Sequence, residues 1–405
     1  MRAIWPTQKL AEACIIKPPK SETKGRLKES DVVTFAPMED MGIDQKYFAP
    51  TKTRPLSEVA GSYTYFADGD VLLAKITPCF ENGKLGIAQD LVNGVGYGSS
   101  EYIVFRPAKT LSAEFLYYYL ARQSFRDEGA ARMTGAVGHK RVSKEFIENS
   151  LIPIPPVSEQ LRIVAILAEA FDGIATAKAN AEKNLQNARA LFESQLQAVF
   201  TQRGSGWVIT TLSHATGGIF TGPFGSLLHK SDYVSNGIPI VNPAHITDVG
   251  IEPDLRKTVS KSTSLRLKSY VMQQGDIVIG RRGEMGRCAL VTEVEDGWLC
   301  GTGSFFIKPS SQCDTRYLVR FLRSADCKGR LEKIAGGAVM PNLSNKDLSS
   351  LPFDLPPLDK QKAIVKKIDD LHEETQHLES LYQQKLAALD ELKKSLLHQA
   401  FSGEL

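Results

Sequence analysis

The sequence predicts an α+β protein built twice: two globular α/β domains separated by two long antiparallel helices that form a coiled coil, with an internal pseudo-twofold repeat. Three observations predict it. Two long stretches contain no proline, those stretches align with each other at one fixed shift, and the segments around them mix strand-like and helical patterns.

All 20 prolines lie in 1–156 and 201–357. Proline costs about 3 kcal/mol inside a helix, so 158–200 and 358–405 read as long helices. Each follows a Pro-Pro pair, Pro155-Pro156 or Pro356-Pro357, with Ser158 and Asp359 as N-cap candidates. Gly204 and Gly403 stand where C-caps are expected. At a shift of 201 the two stretches share Gln160/Gln361, Ile163/Ile364, Leu185/Leu386, Leu196/Leu397 and Phe200/Phe401 among other identities. A fixed shift with identities at both ends indicates a repeat.

The repeat continues outside the helices. Trp5 to Leu10 matches Trp207 to Leu212, and Gly69-Asp70-Val71-Leu72-Leu73 matches Gly275-Asp276-Ile277-Val278-Ile279. Arg106-Pro107 matches Lys308-Pro309, and Val142-Ser143 matches Leu343-Ser344. The expected segments are therefore 1–156, 157–200, 201–357 and 358–405. Strands are predicted at 32–37, 70–77, 101–105, 276–280 and 304–308, where β-branched or aromatic runs are bounded by turn residues. Helical periodicity marks 112–133 and 315–334.

Each long helix carries an apolar seam spaced by threes and fours. One runs through Val164, Leu167, Phe171, Ile174, Ala181, Leu185 and Phe192, with Lys178 and Gln195 as polar breaks. The other runs through Ile364, Ile368, Leu371, Leu378, Tyr382, Leu389, Leu392 and Leu396. This spacing is the coiled-coil signature.

Composition narrows the function. Lys+Arg 49 against Asp+Glu 46 excludes a histone-like polycation and an acidic disordered chain. The net +3 divides into +6 on the globular segments and −3 on the helices. The six cysteines form no C-x-x-C pair, the start has no apolar signal region, and no run of 18 apolar residues exists, so a reducing cytoplasm is expected. No phosphate loop, nucleophile elbow or H-E-x-x-H motif occurs, and no [DN]-P-P-[YFW] methyltransferase tetrapeptide. Of the seven histidines only His372 and His377 come near ligand spacing, and five residues apart on a helix they do not face together.

What remains is loop chemistry suited to nucleic acid. In Gly222-Pro223-Phe224-Gly225-Ser226 and on to Lys230, glycines permit close backbone approach, Phe224 suits a thymine methyl or a base step, and Lys230 suits a phosphate. The plainer reading is a Gly-Pro turn with a buried Phe. In Gly280-Arg281-Arg282-Gly283-Glu284-Met285-Gly286-Arg287 a strand opens into a loop with three arginines, the residue that bonds guanine in bidentate fashion. Lys75 and Lys84 hold the corresponding strand exit in the first half. For these strand exits, surface cations in solvated turns are the alternative. Lys140 and Arg141 precede Val142-Ser143 as residues 338–342 precede Leu343-Ser344, and a basic loop before a short helix suits a phosphate; the plainer reading is a capped helix entry.

In order and in duplicate, these motifs resemble the specificity subunit of type I restriction-modification systems. The resemblance rests on Trp207 to Leu212, the Gly222 to Ser226 loop with Asp232-Tyr233, Gly275-Asp276-Ile277-Val278, Leu355-Pro356-Pro357-Leu358 with Gln361, and the ending Ala400-Phe401-Ser402-Gly403-Glu404-Leu405. The first half adds Gly69-Asp70-Val71-Leu72 and Ile154 to Gln160. It implies two target recognition domains, each reading half of a bipartite, asymmetric double-stranded DNA site. The helices would set the gap and dock two methyltransferase subunits, through positions such as Gln160, Ile163, Leu167, Ile174, Gln361, Ile364, Ile368 and Leu389. It implies no catalytic residue, metal or cofactor here, with S-adenosylmethionine, ATP and magnesium held by modification and restriction partners. It also implies a bacterial or archaeal cytoplasm and no membrane. The first half lacks the Gly-Pro-Phe-Gly-Ser loop and carries Ile16-Lys17-Pro18-Pro19-Lys20 nearby, so the two domains are expected to read different sequences. The competing expectations are a stand-alone DNA-binding or structural tandem-repeat adaptor and a nuclease with an unrecognised site.

Overall fold

A computed structural model describes residues 5–136, 138–201, 204–335 and 342–405. The chain forms two compact units, one of Met1–Glu182 with Gln383–Leu405 and one of Lys183–Tyr382. Each unit takes in part of both long helices, Val157–Thr201 and Leu358–Ser402, of 45 residues each.

Both helices begin directly after the Pro-Pro pair, two residues earlier than N-caps at Ser158 and Asp359 would start them. Ser158 and Asp359 therefore lie in the first turn, where Asp359 still complements the helix dipole. Gly403 takes a left-handed backbone (φ +76°) just past the second helix; Gly204 does not.

In the first unit, Cys14–Ile16, Tyr102–Pro107, Val71–Ala74 and Leu85–Ala88 lie side by side in that order, all antiparallel. Tyr47–Phe48 adds a parallel edge strand. In the second unit, Gly218–Thr221, Ser304–Lys308, Ile277–Gly280 and Cys288–Leu290 repeat that antiparallel order. Each unit has a second four-stranded sheet containing one parallel pair, Val32–Ala36 with Val95–Gly98 or Ile238–Val241 with Leu299–Cys300. A two-stranded ribbon joins Thr7–Lys9 to Leu151–Pro153, and Val208–Thr211 to Pro352–Leu355. The ends of each globular segment are thus stitched together just before its long helix.

Each predicted 22- or 20-residue helical segment is two helices, Ala113–Ala121 with Gln123–Ala131 and Thr315–Arg323 with Ala325–Ile334. The chain becomes extended for one residue at Arg122 and at Ser324, and the Ser324 hydroxyl accepts from Cys327 N. A polar residue that satisfies the next helix start favours the break over continuation.

The long helices pack against each other within each unit. In the first, Ile163, Leu167, Leu397 and Ala400 join one core with Phe115, Leu116 and Phe125. In the second, Phe200, Val365 and Ile368 join a core with Tyr317, Phe321 and Phe353. The polar break at Lys178 is answered by Asp390 at 2.7 Å, and Arg189 pairs with Glu379 at 2.8 Å. Leu392, assigned to the seam by spacing, is instead 47% exposed, and at the end of the seam Leu397 is buried while the adjacent Leu396 is only half-buried. Over this length the ideal helix drifts from a strict heptad, so the buried position moves by a residue.

Candidate DNA interface

Two polar locks, each present in both units, hold the same frame. The turn before the central strand needs a left-handed glycine, Gly69 (φ +83°) or Gly275 (φ +91°). The following aspartate is buried. Asp70 accepts from Ala67 N at 2.8 Å and takes both Nε (2.7 Å) and Nη2 (2.8 Å) of Arg106. Asp276 accepts from Gln273 N at 2.8 Å and from Lys308 Nζ at 2.7 Å. The second lock is Gln160, whose Oε1 accepts from Ser112 N and whose Nε2 donates to Thr110 O and Pro155 O. Gln361 repeats this with Asp314 N, Gln312 O and Pro356 O. Both glutamines are fully buried.

That frame delivers one residue at each central-strand exit to the same environment. Lys75 N donates to Glu101 O, and Lys75 O accepts from Val142 N. Arg281 N donates to Gly303 O, and Arg281 O accepts from Leu343 N. The next residue pairs with the residue before that valine or leucine: Ile76 with Arg141, Arg282 with Asn342. Lys75 and Arg281 are therefore structural equivalents, as are Arg141 and Asn342, and Glu101 and Gly303.

The side chains differ sharply. In the first unit Arg141 donates to Glu101 through Nε (3.0 Å) and Nη2 (2.7 Å), and through Nη1 to His139 O (3.1 Å). Lys75 Nζ donates to Ser100 O at 2.8 Å and lies 3.9 Å from Glu101. Hydrogen bonds from Arg141 hold the Glu101 carboxyl below the usual carboxylate range, and the Lys75 charge helps. Lys84 is half-buried and donates to Met38 O at 2.9 Å, which removes it from the free cations expected here. Lys140 is exposed and its side chain has no partner among the described residues. Beside Lys75 opens a groove of about 510 Å³, with Lys17, Tyr63, Tyr65 and Lys144 among its walls.

In the second unit no carboxylate faces Arg281 or Arg282 among the described residues. Both point Nε at Asn342 Oδ1, at 3.2 and 3.5 Å, and the Arg281 guanidinium lies 5.4 Å from the Phe305 ring centre. Burial, then the neighbouring Arg282, lowers the Arg281 pKa. Arg287 pairs with Glu284 on its own loop, so it is neutralised, unlike the free arginine expected from the sequence. Residues 338–341 and Val137 lie outside the described residues.

The Gly222 to Lys230 loop belongs to the same surface. A Cβ on Gly222 would lie 1.9 Å from Gly301 O, so only glycine fits. Pro223 is buried, whereas Phe224 is 60% exposed, against the buried-Phe reading. Ser226 and Lys230 are exposed. Asn345 Nδ2 donates to Ile219 O at 2.9 Å, tying the strand before this loop to the segment that carries Asn342. Loop spacing alone did not single out Glu101 or the Asn342 amide as partners. The signal was the repeat itself, which sets Glu101 opposite Gly303.

The helix positions expected to face partner subunits are largely internal. Gln160, Ile163, Leu167, Ile174, Gln361 and Ile368 are buried in their own units, and Ile364 and Leu389 are half-buried. They fasten each helix to its unit. Exposed apolar side chains on the helices are others, Leu161, Leu191 and Leu381 among them.

No group of three His, Cys, Asp or Glu residues that would hold a metal occurs among the described residues. Among those residues no helix is long and apolar enough to cross a membrane. Five of the six free cysteines are buried, and burial pushes the Cys14 thiol up to about 12.

The family model described as type I restriction modification DNA specificity domain matches residues 5–186 and 222–387. The chain belongs to this family. Its two matched stretches fall one on each copy of the repeat. Among curated members, the type I restriction enzyme EcoEI specificity subunit of Escherichia coli is 36% identical over 166 residues, 41% of this chain and 27% of that protein. The EcoAI specificity subunit of Escherichia coli is 44% identical over 108 residues, 26% of this chain and 18% of that protein. The match thus spans only about a fifth to a quarter of these two relatives' length. The fold agrees with a crystal structure of the HsdS subunit from Thermoanaerobacter tengcongensis, at TM-score 0.72 and 20% identity over 99% of this chain and 97% of that one. A chain from a structural study of assembly and conformational transition in the type I restriction-modification system gives TM-score 0.75 at 21% identity, covering 99% and 98%.

Proposed function

We propose that this chain is the non-catalytic DNA sequence-recognition subunit of a type I restriction-modification complex. Segments 1–156 and 201–357 act as target recognition domains, each reading half of a bipartite, asymmetric site. Segments 157–200 and 358–405 act as the spacer that fixes the gap and carries two modification methyltransferase subunits. Those partners supply S-adenosylmethionine chemistry, and restriction subunits supply ATP- and magnesium-dependent translocation and cleavage inside a bacterial or archaeal cell. The observation that carries this reading is the repeated frame with two differently charged strand exits. One scaffold presents two chemistries, as reading two unlike half-sites requires.

The second exit favours acceptor-rich base edges such as guanine O6 and N7, because among the described residues no carboxylate takes the terminal guanidinium nitrogens of Arg281 and Arg282. The exposed Lys140, Ser226 and Lys230 suit phosphate contacts that set register, and Phe224 suits a base step. The test uses the chain co-expressed with its modification subunits. Its DNA affinity should fall steeply and linearly in log–log form with salt. An affinity independent of salt contradicts phosphate contact and favours the structural adaptor. Inserting four residues near Ala179 should change the tolerated gap between half-sites or abolish assembly. An unchanged gap in an assembled complex removes the spacer role.

A further inference from the structure

We infer that Glu101 is a specificity-determining residue of the first recognition domain, reading a base amino group as an acceptor at the place where the second domain presents arginine donors. This rests on the DNA-reading proposed above and names the chemistry of one half of it. The residue equivalence is fixed by backbone hydrogen bonds. Glu101 O accepts from Lys75 N where Gly303 O accepts from Arg281 N. The two domains therefore differ at one spot by a whole carboxylate.

The sequence offers Arg141 as a DNA-contacting cation, but its guanidinium is engaged. Nε and Nη2 go to Glu101 and Nη1 goes to His139 O. A bidentate contact to guanine would have to break that fork. Glu101 is different. An ionised carboxylate has about four acceptor directions. Arg141 takes one on each oxygen, and Lys75 Nζ stands off at 3.9 Å. Among the described residues each oxygen keeps an acceptor direction, and the side chain is 21% exposed. Two cations beside it hold it ionised and fixed, and they offset its repulsion from DNA phosphates. A fixed acceptor selects a base that offers an exocyclic amine in the major groove, cytosine N4 first and adenine N6 second. It rejects guanine O6 and thymine O4 at that position, because two acceptors then face each other. Arg141 is a positioning residue in this arrangement, and the second domain, with Gly303 and Asn342 at these places, selects the opposite pattern.

The experiment compares wild-type, Glu101→Ala and Arg141→Ala chains, each co-expressed with its modification subunits. Methylated sites are mapped across a genome, and DNA affinity is measured against salt. In Glu101→Ala, one position of one half-site should lose discrimination on the order of tenfold or more, while the other half-site is read as before. In Arg141→Ala, the same position should lose discrimination with the salt slope unchanged. A Glu101→Ala complex that methylates the wild-type set of sites overturns the inference. So does an Arg141→Ala complex whose slope drops by about 1 with selection intact, because Arg141 is then a phosphate contact. A wild-type complex with no salt-dependent DNA binding overturns the DNA-reading as well, which separates the two failures.

Discussion

The first and second units place a cation at the same strand exit and surround it oppositely. Lys75 and Arg141 converge on a carboxylate, Glu101, while Arg281 and Arg282 converge on an amide oxygen, that of Asn342. Beneath this difference the frames agree almost bond for bond, down to the buried aspartate and the buried glutamine. The contrast separates two kinds of residue. Those that repeat hold the fold, and those that diverge at equivalent places face outward and carry what is particular to each unit.

The comparison breaks most visibly at its shared base. Asp276→Ala leaves Lys308 without its buried carboxylate and Gln273 N without its acceptor, and should cost about 3–5 kcal/mol, read by denaturant unfolding. Asp70→Ala should cost somewhat less, because Glu22 still holds Arg106. A loss below about 1 kcal/mol in both would contradict the assignment of this pair to the frame. Next, Gln160→Ala and Gln361→Ala each strip partners from three backbone groups, at about 2–4 kcal/mol. Equal losses in the two variants would sharpen the equivalence; one silent variant would break it.

Smaller effects test the divergent layer. Arg281→Ala with Arg282→Ala should weaken discrimination by about 1–3 kcal/mol at a position of one half-site, with global stability little changed, measured by site mapping beside thermal unfolding. Smallest of all is Lys178→Ala. Its pair with Asp390 joins partly exposed side chains, so less than about 1 kcal/mol is expected, and less again at high salt.

Much of this was legible in the sequence because repeats and proline placement report backbone requirements. The Pro-Pro helix starts and the central strands are local and stand close to where the pattern put them, although the helices start ahead of Ser158 and Asp359 and the strand expected over 70–77 runs only Val71–Ala74. Two kinds of feature were not legible. Asp70 and Arg106 were each visible as repeat matches, but their pairing joins residues 36 apart that only the sheet brings together. The fates of Lys84, Arg141 and Arg287 depended on which carbonyl or carboxylate folding placed beside them. A loop cation looks free until its neighbours are known. The helix seam failed at Leu392, which is exposed, and at Leu396, where spacing alone could not say that the adjacent Leu397 turns further inward.

On the proposed reading, each unit selects its own half-site through its strand exit. Genome-wide mapping of methylated sites for the Arg281→Ala, Arg282→Ala double variant, co-expressed with its modification subunits, tests it most directly. Selection should relax in one half-site only, with the other half and the gap unchanged. Selection altered in both halves, or in neither, would contradict it.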